Sequence, residues 1–203
     1  MKLYYSPGAC SLAAHIIADE ANLRLQLERV DIRLHRTENG QDYYGINPKG
    51  YVPTIQLDDG NTLTENMAIL NYLADRTANK LFTPKPGTLE HYRLEEWLGF
   101  ISSELHKSFA PLFHNGTFEE KRKAKERLVE HFAYAAMQLD DQPFLMGEHM
   151  TVADPYFFVM LTWAKKLNLN LKRYTNLERF YARFSARPAV KRAMREEGLP
   201  LAA

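Results

Sequence analysis

The feature that most limits how this chain can fold is a change of pattern near residue 80. Residues 1–77 follow the order strand, helix, strand, helix, hairpin, helix, with the hairpin signal at Asp58–Asn61. Residues 78–87 have the Lys, Pro and Gly content of a linker, and beyond them only helical patterns recur. We therefore predict an α/β domain over residues 1–77 and an all-helical domain over residues 88–203.

Composition and charge narrow the class of protein. The 203 residues include 26 Lys and Arg against 25 Asp and Glu, and the resulting charge of +1 does not favour a nucleic-acid partner. The longest apolar run, Pro155 to Ala164, is roughly half the ~20 residues that a membrane span needs. The N-terminus has no apolar stretch of the secretion-signal type. We expect a cytoplasmic location, with the periplasm left open, and neither nucleic acid nor membrane as a partner.

The chain has one cysteine, Cys10. It follows a predicted strand and a Ser-Pro-Gly turn, at the start of the next helix. Free backbone N–H groups at such a position can stabilise a thiolate and lower the pKa of the thiol. A buried and unreactive thiol fits the position equally well. Since the sequence contains no second cysteine, any disulfide chemistry requires an external thiol.

Two fragments of the first domain can bind an amino-acid-like ligand. A proline at a strand entrance can be cis, so that Val52 before Pro53 offers its N–H and C=O to an extended ligand; the fragment alone favours a trans proline. The helix start at Thr64-Glu65-Asn66 can bind a carboxylate at its N–H groups and an ammonium at Glu65. Simple capping by Thr64 is the better explanation for that fragment alone.

The long helix of the second domain carries His106 and Lys107 beside the small residues Gly99, Ser102 and Ser103. His106 can donate a hydrogen bond to a thiolate or a carboxylate, although an isolated histidine is usually an ordinary boundary residue. The other histidines show no metal-ligand spacing, so we expect no metal. Several aromatic residues can line a pocket, although most fit a helical core: Phe109, Phe113, Tyr156 and Trp163.

Taken together, five blocks are more specific than any of them alone. They are Tyr5-Ser-Pro-Gly-Ala-Cys10-Ser-Leu, Asn47-Pro-Lys-Gly-Tyr-Val-Pro53, Leu63-Thr-Glu-Asn-Met-Ala-Ile-Leu-Asn-Tyr-Leu-Ala-Asp75, Glu104-Leu-His-Lys107 and Thr151-Val-Ala-Asp154. In order and spacing, the whole chain resembles the bacterial beta-class glutathione S-transferases.

The resemblance implies a thioredoxin-like N-terminal domain, an all-helical C-terminal domain and a twofold homodimer that binds glutathione at the domain boundary. It implies that Cys10 faces the glutathione sulfur and that Val52, before a cis-Pro53, pairs with the cysteinyl backbone. Glu65 and Asn66 are expected to hold the γ-glutamyl end.

From the helical domain, the resemblance implies that His106 and Lys107 line the site. Ser103 and Glu104 are expected to reach toward the glutathione of the neighbouring subunit.

Two positions depart from the pattern of the family. Asn66 stands where Ser or Gly is typical, which alters the carboxylate contact and leaves the backbone N–H available. His35 stands where a Lys often contacts the glycyl carboxylate, and we retain it as a glutathione-binding candidate.

The resemblance predicts an enzyme that conjugates the glutathione thiolate with small hydrophobic electrophiles. Cys10 and His106 are the predicted catalytic residues, and glutathione is a co-substrate with no bound cofactor. Two alternatives stay open. One is thiol–disulfide exchange through a Cys10–glutathione mixed disulfide, and the other is a non-catalytic binder of glutathione or hydrophobic ligands.

Overall fold

A computed structural model describes residues 1–77 and 81–200. The described residues form two compact units, residues 1–77 with 185–200 and Leu81–Phe184. Of the predicted linker 78–87, residues 78–80 lie outside the described residues. Residues 185–200, predicted to belong to the helical domain, group with the first unit, and the predicted boundaries at 77 and 88 stay a prediction.

The first unit contains a five-stranded mixed sheet in the order β3-β2-β1-β4-β5. The strands are β1 (Lys2–Tyr5), β2 (Gln26–Asp31), β3 (Arg36–Thr37), β4 (Thr54–Gln56) and β5 (Thr62–Thr64). Only β1 and β2 run parallel, with Leu3 opposite Leu27, and the other pairs are antiparallel. The β4–β5 pair is the predicted hairpin.

Three helices accompany this sheet: α1 (Ser11–Glu20), α2 (Asn66–Asp75) and α8 (Pro188–Glu196). Helix α1 is buried from Ser11 to Ala18, because it packs on β1, α2 and α8. Arg187 Nε and Nη2 also donate to the two carboxylate oxygens of Glu20, at 2.6 and 3.0 Å. These contacts explain why α8 belongs to the first unit. The parallel β1-α1-β2 unit followed by the hairpin and α2 is the thioredoxin-like arrangement.

The weakly helical stretch predicted over residues 40–44 corresponds to a single turn in the structure. Between β3 and β4 the chain forms a single 3₁₀ turn, Tyr43–Gly45, which the Asp42 side chain caps by accepting from the Tyr44 N–H at 3.1 Å. The two-residue strand β3, which pairs with β2, was not predicted. Two residues are too few to show the alternation by which a strand is identified in a sequence.

The second unit consists of helices among its described elements. They are α3 (Leu89–Phe100), a π-helical segment (Ile101–His106), α4 (Ala110–Phe113), α5 (Phe118–Leu139), α6 (Ala153–Lys166) and α7 (Thr175–Ser185). Helix α6, which contains the apolar run Pro155 to Ala164, is buried on nearly all sides. Within residues 1–77 and 81–200, no helix combines the length and the apolar character needed to cross a membrane.

The start of α6 depends on the carboxylate of Asp154. This fully buried side chain accepts the backbone N–H of Leu145 at 2.8 Å and that of Thr151 at 2.7 Å. Burial raises the pKa of Asp154 to about 6, although these hydrogen bonds act to lower it. The carboxylate therefore holds the preceding loop against the first turn of the central helix.

Candidate active site

Cys10 occupies the N-cap position of α1 and is only 7% exposed. Its Sγ donates to the carbonyl oxygen of Val52 at 3.3 Å. Burial raises the pKa of the Cys10 thiol to about 12, although the backbone N–H groups of Cys10 and Ser11 act to lower it. The alternative of a lowered pKa is therefore wrong. The free energy needed to remove a thiolate from water exceeds the stabilisation that the helix N-terminus gives to the thiolate. Cys10 is a neutral thiol at physiological pH.

The Val52–Pro53 peptide is cis, as the resemblance implies. Two side chains hold the residue before it: Tyr43 Oη and Asn47 Nδ2 both donate to the carbonyl oxygen of Tyr51, at 2.9 and 2.7 Å. Tyr43 and Asn47 are buried, so this loop is fixed from the interior of the unit. The backbone of Val52 is thereby presented beside Cys10.

Glu65 has a backbone φ of 70°, in the left-handed region that residues other than glycine rarely adopt. It takes the N-cap position of α2 without a capping side-chain bond, so the capping role considered for Thr64 is wrong. The Glu65 carboxylate accepts from Lys49 Nζ at 2.6 Å, and the same ammonium donates to Thr64 Oγ1 at 2.9 Å. Lys49 was not among the predicted site residues, although it lies in the Asn47–Pro53 block.

Asn66 is the first residue of α2 and is only 7% exposed. Neither its amide nitrogen nor its amide oxygen has a hydrogen-bond partner among the described residues. A buried polar group without a partner costs about 1–3 kcal/mol and usually marks a functional constraint or a missing ligand. An amide can both donate and accept, so it suits the carboxylate and amine of an amino acid.

His35 packs on the loop that carries Lys49. Its ring contacts that of Tyr44, with 4.4 Å between the centroids, and a Cβ at Gly50 would lie 3.0 Å from the imidazole. Gly50 also has a φ of +71°, so this close approach requires glycine. Within the described part of the chain, the buried Nδ1 of His35 has no hydrogen-bond partner.

In the second unit, the π-helical segment carries the predicted residues Ser103, Glu104 and His106. Such segments are frequent at functional sites, because they shift the register of the side chains that follow. Ser103 Oγ donates to Glu104 Oε1 at 3.1 Å, and the other Glu104 oxygen lies 3.6 Å from Nε2 of His131. Lys107, next to this segment, is exposed.

The imidazole of His106 is held between two aromatic residues of α6. Its Nδ1 lies 2.7 Å from the Tyr156 hydroxyl, and its ring meets the Trp163 ring at 72°, with 5.0 Å between the centroids. Burial, together with the charge of Lys107, lowers the pKa of His106 to about 4. His106 is therefore neutral at pH 7 and acts as a polar group, not as a cation.

The four aromatic residues considered for a pocket divide into two kinds. Phe109, Tyr156 and Trp163 are buried and belong to the core of the second unit. Phe113 is 43% exposed, with its ring edge-on to Trp163 at a centroid separation of 4.9 Å. Phe113 is therefore the member of this group that presents an apolar face to solvent.

A charged cluster connects the loop before Cys10 to the C-terminal end of α8. His15 on α1 lies between two carboxylates, with Nδ1 3.2 Å from Glu197 and Nε2 2.9 Å from Glu196. The second oxygen of Glu197 accepts the backbone N–H of Gly8 at 2.9 Å. These residues were not predicted, because no local pattern links positions so far apart in the sequence.

Comparison with known proteins agrees with this geometry. Residues 8–76 match the model of the glutathione S-transferase N-terminal domain, and residues 103–197 match that of the C-terminal domain. The first match covers the thioredoxin-like part and the second covers most of the helices, which defines a two-domain transferase. The chain belongs to the glutathione S-transferase family.

Individual relatives identify the bacterial branch. The chain is 42% identical over 200 residues to glutathione S-transferase GstA of Escherichia coli O157:H7, covering 98% of this chain and 100% of that relative. The beta-class enzyme of Sphingomonas chungbukensis superposes with a TM-score of 0.95 at 41% identity, and the match covers 98% and 100% of the two chains. A sphingomonad glutathione S-transferase, solved in complex with glutathione, gives 0.93 at 40% identity, with 98% and 100% covered. The resemblance to the bacterial beta class is confirmed.

Proposed function

We propose that the protein conjugates glutathione with small hydrophobic electrophiles, and that its first unit binds the peptide part of glutathione. The observation that carries this proposal is the buried, unpaired amide of Asn66 beside the Glu65 carboxylate. Together they offer a donor and acceptor for a carboxylate and an anion for an ammonium, which is what the γ-glutamyl end presents. An incoming ammonium can take the place of Lys49 on Glu65.

Cys10 contributes in this proposal as a hydrogen-bond donor. Its neutral thiol can turn from the Val52 carbonyl to the sulfur of bound glutathione, and an S–H donor stabilises a sulfur anion without adding a second negative charge. Each pKa unit by which the glutathione thiol is lowered corresponds to ~1.4 kcal/mol of preferential thiolate binding. The proton of the glutathione thiol leaves to solvent, and the glutathione thiolate forms a bond to the electrophilic carbon. The leaving group of the electrophile departs with its electron pair.

The same neutrality speaks against thiol–disulfide exchange through Cys10. Exchange requires a thiolate as the attacking group, and a thiol with a pKa of about 12 is almost wholly protonated at neutral pH. The names of the relatives also favour conjugation over exchange and over a non-catalytic binder.

For the second unit, we propose that neutral His106 donates an N–H to bound glutathione and that Lys107 supplies a positive charge. We also propose that the protein is a homodimer located in the cytoplasm. In this homodimer, Ser103 and Glu104 reach toward the glutathione of the neighbouring subunit. His35 is proposed to contact the glycyl end through its unpaired Nδ1.

The experiment is conjugation kinetics of the Asn66→Ala variant, with chlorodinitrobenzene as the electrophile. Losing a hydrogen bond to a charged group, about 1.5–3 kcal/mol, raises the KM for glutathione by roughly ten- to a hundredfold. Because the amide has no hydrogen-bond partner among the described residues, its removal breaks no such bond, and the melting temperature is expected not to fall. Asn170→Ala, at an exposed position, is the matched control.

Two outcomes would overturn the proposal. The first is an unchanged KM for glutathione in Asn66→Ala, which would remove the γ-glutamyl assignment. The second is tight retention of the wild-type protein on immobilised glutathione without conjugation of chlorodinitrobenzene or other electrophiles, which would favour the binder.

A further inference from the structure

The imidazole of His106 contacts two aromatic side chains of α6 in the second unit. Tyr156 and Trp163 both meet its ring edge-on, at interplanar angles of 89° and 72°. Nδ1 lies 2.7 Å from the Tyr156 hydroxyl. Since Nδ1 is engaged by this hydroxyl, Nε2 is the ring nitrogen that can face a ligand.

The short contact between Nδ1 and the hydroxyl favours one position for the imidazole proton. A neutral imidazole has one N–H and one lone pair, and the group bound at one nitrogen decides which nitrogen is which. A phenol is a better donor than acceptor, whereas an unprotonated ring nitrogen is a strong acceptor. The favoured arrangement is a bond from the Tyr156 O–H to Nδ1, with the ring proton on Nε2.

We propose that Tyr156 is a positioning residue for conjugation: its hydroxyl donates to Nδ1 of His106 and so keeps the imidazole proton on Nε2, as a donor to the glutathione sulfur. This inference rests on the proposed function and goes beyond it by naming the group that sets the proton position. The lowered pKa of His106 supports it, because the imidazolium would require Nδ1 to donate to the phenol. In the opposite tautomer, the Nε2 lone pair would face the sulfur anion and repel it.

The direct test is the tautomer of His106, read from nitrogen-15 chemical shifts and the long-range ring couplings of labelled protein. In the wild type we expect a single Nε2–H tautomer, and in Tyr156→Phe a mixture of the two. Tyr181→Phe is the matched control, because it removes a phenol hydroxyl from the same unit and keeps the stacking on Phe158. An Nδ1–H tautomer in the wild type would overturn the inference and leave glutathione conjugation standing.

The kinetic test is a double-mutant cycle between Tyr156→Phe and His106→Gln. Tyr156→Phe should lower kcat about tenfold at a nearly unchanged KM for glutathione, and should raise the apparent pKa in the pH profile of kcat/KM. The same substitution should have almost no effect in the His106→Gln background, since the hydroxyl acts through the imidazole. An equal loss in both backgrounds would show a merely structural role and overturn the inference. A wild-type protein that conjugates no electrophile, whatever its tautomer, would instead overturn the proposed function and the positioning role with it.

Discussion

The carboxylate of Glu197 should be worth far more to stability than that of its neighbour Glu196. The Glu197 side chain is 0% exposed and accepts two hydrogen bonds, from Gly8 N–H at 2.9 Å and from His15 Nδ1 at 3.2 Å. In Glu197→Gln the amide keeps one acceptor oxygen and turns its NH₂ group toward the other donor. Since one buried donor left unpaired costs about 1–3 kcal/mol, we expect the free energy of unfolding to fall by about 2 kcal/mol.

Glu196→Gln is the matched control, because Glu196 contacts the other nitrogen of the same imidazole at 2.9 Å but is 53% exposed. Water screens this ion pair, so its loss should cost less than about 1 kcal/mol. Urea and thermal unfolding at one protein concentration measure both variants, and the Glu197 loss corresponds to a decrease in Tm of about 4–8 °C for a chain of this size. Equal losses in the two variants would refute burial as the cause.

The same cluster makes stability depend on pH. Burial acts to lower the pKa of His15, but the hydrogen bonds and charges of Glu197 and Glu196 outweigh it and raise the pKa. A raised pKa in the folded state means that the His15 contribution is complete below the unfolded value of about 6.5 and is lost as pH rises through the folded pKa. Burial raises the pKa of Glu197 as well, which acts in the same direction at lower pH. The free energy of unfolding of the wild type should therefore fall as the pH rises through the folded pKa of His15. In Glu197→Gln it should fall less over the same pH range.

Two further predictions follow from buried titratable groups. Iodoacetamide should label Cys10 in the native protein at pH 8 far more slowly than in the unfolded protein, because a thiol with a pKa of about 12 carries little thiolate; equal rates would contradict the raised pKa. Asp154→Ala leaves two buried backbone N–H groups without their acceptor and should lower the free energy of unfolding by about 2–4 kcal/mol in urea titration, whereas a neutral result would contradict its role at the start of α6.

Periodicity was sufficient to predict the long elements. In α5, Phe118–Leu139, polar and apolar residues recur at helical spacing over many turns, and such a pattern predicts a helix without tertiary information. Periodicity could not predict β3, which has two residues. It also could not predict the π-helical segment, whose extra residue leaves the apolar stripe almost unchanged. Nor could it assign α8, since that assignment depends on contacts with α1 rather than on its own pattern.

For the candidate site, the motifs supplied a set of candidate residues but not their electrostatics. Cys10 and Val52 meet at 3.3 Å, yet the raised pKa of the thiol depends on the tertiary burial that surrounds it. The sequence could not predict that the buried amide of Asn66 is unpaired, because this depends on the side chains that surround it in the fold. Lys49 lies within the Asn47–Pro53 block, but its contact with Glu65 was not predicted, because Glu65 belongs to a different block of the sequence.

A buried, protonated thiol also affects how susceptible this protein is to oxidation at its cysteine. Peroxide attacks thiolates that solvent can reach, and the sulfenic acid it forms is the first step toward irreversible damage. Cys10 is 93% shielded and carries almost no thiolate, so its sulfur is a poor target. A chain whose only cysteine is protected in this way should keep that thiol unoxidised under peroxide levels that inactivate enzymes dependent on a reactive thiolate.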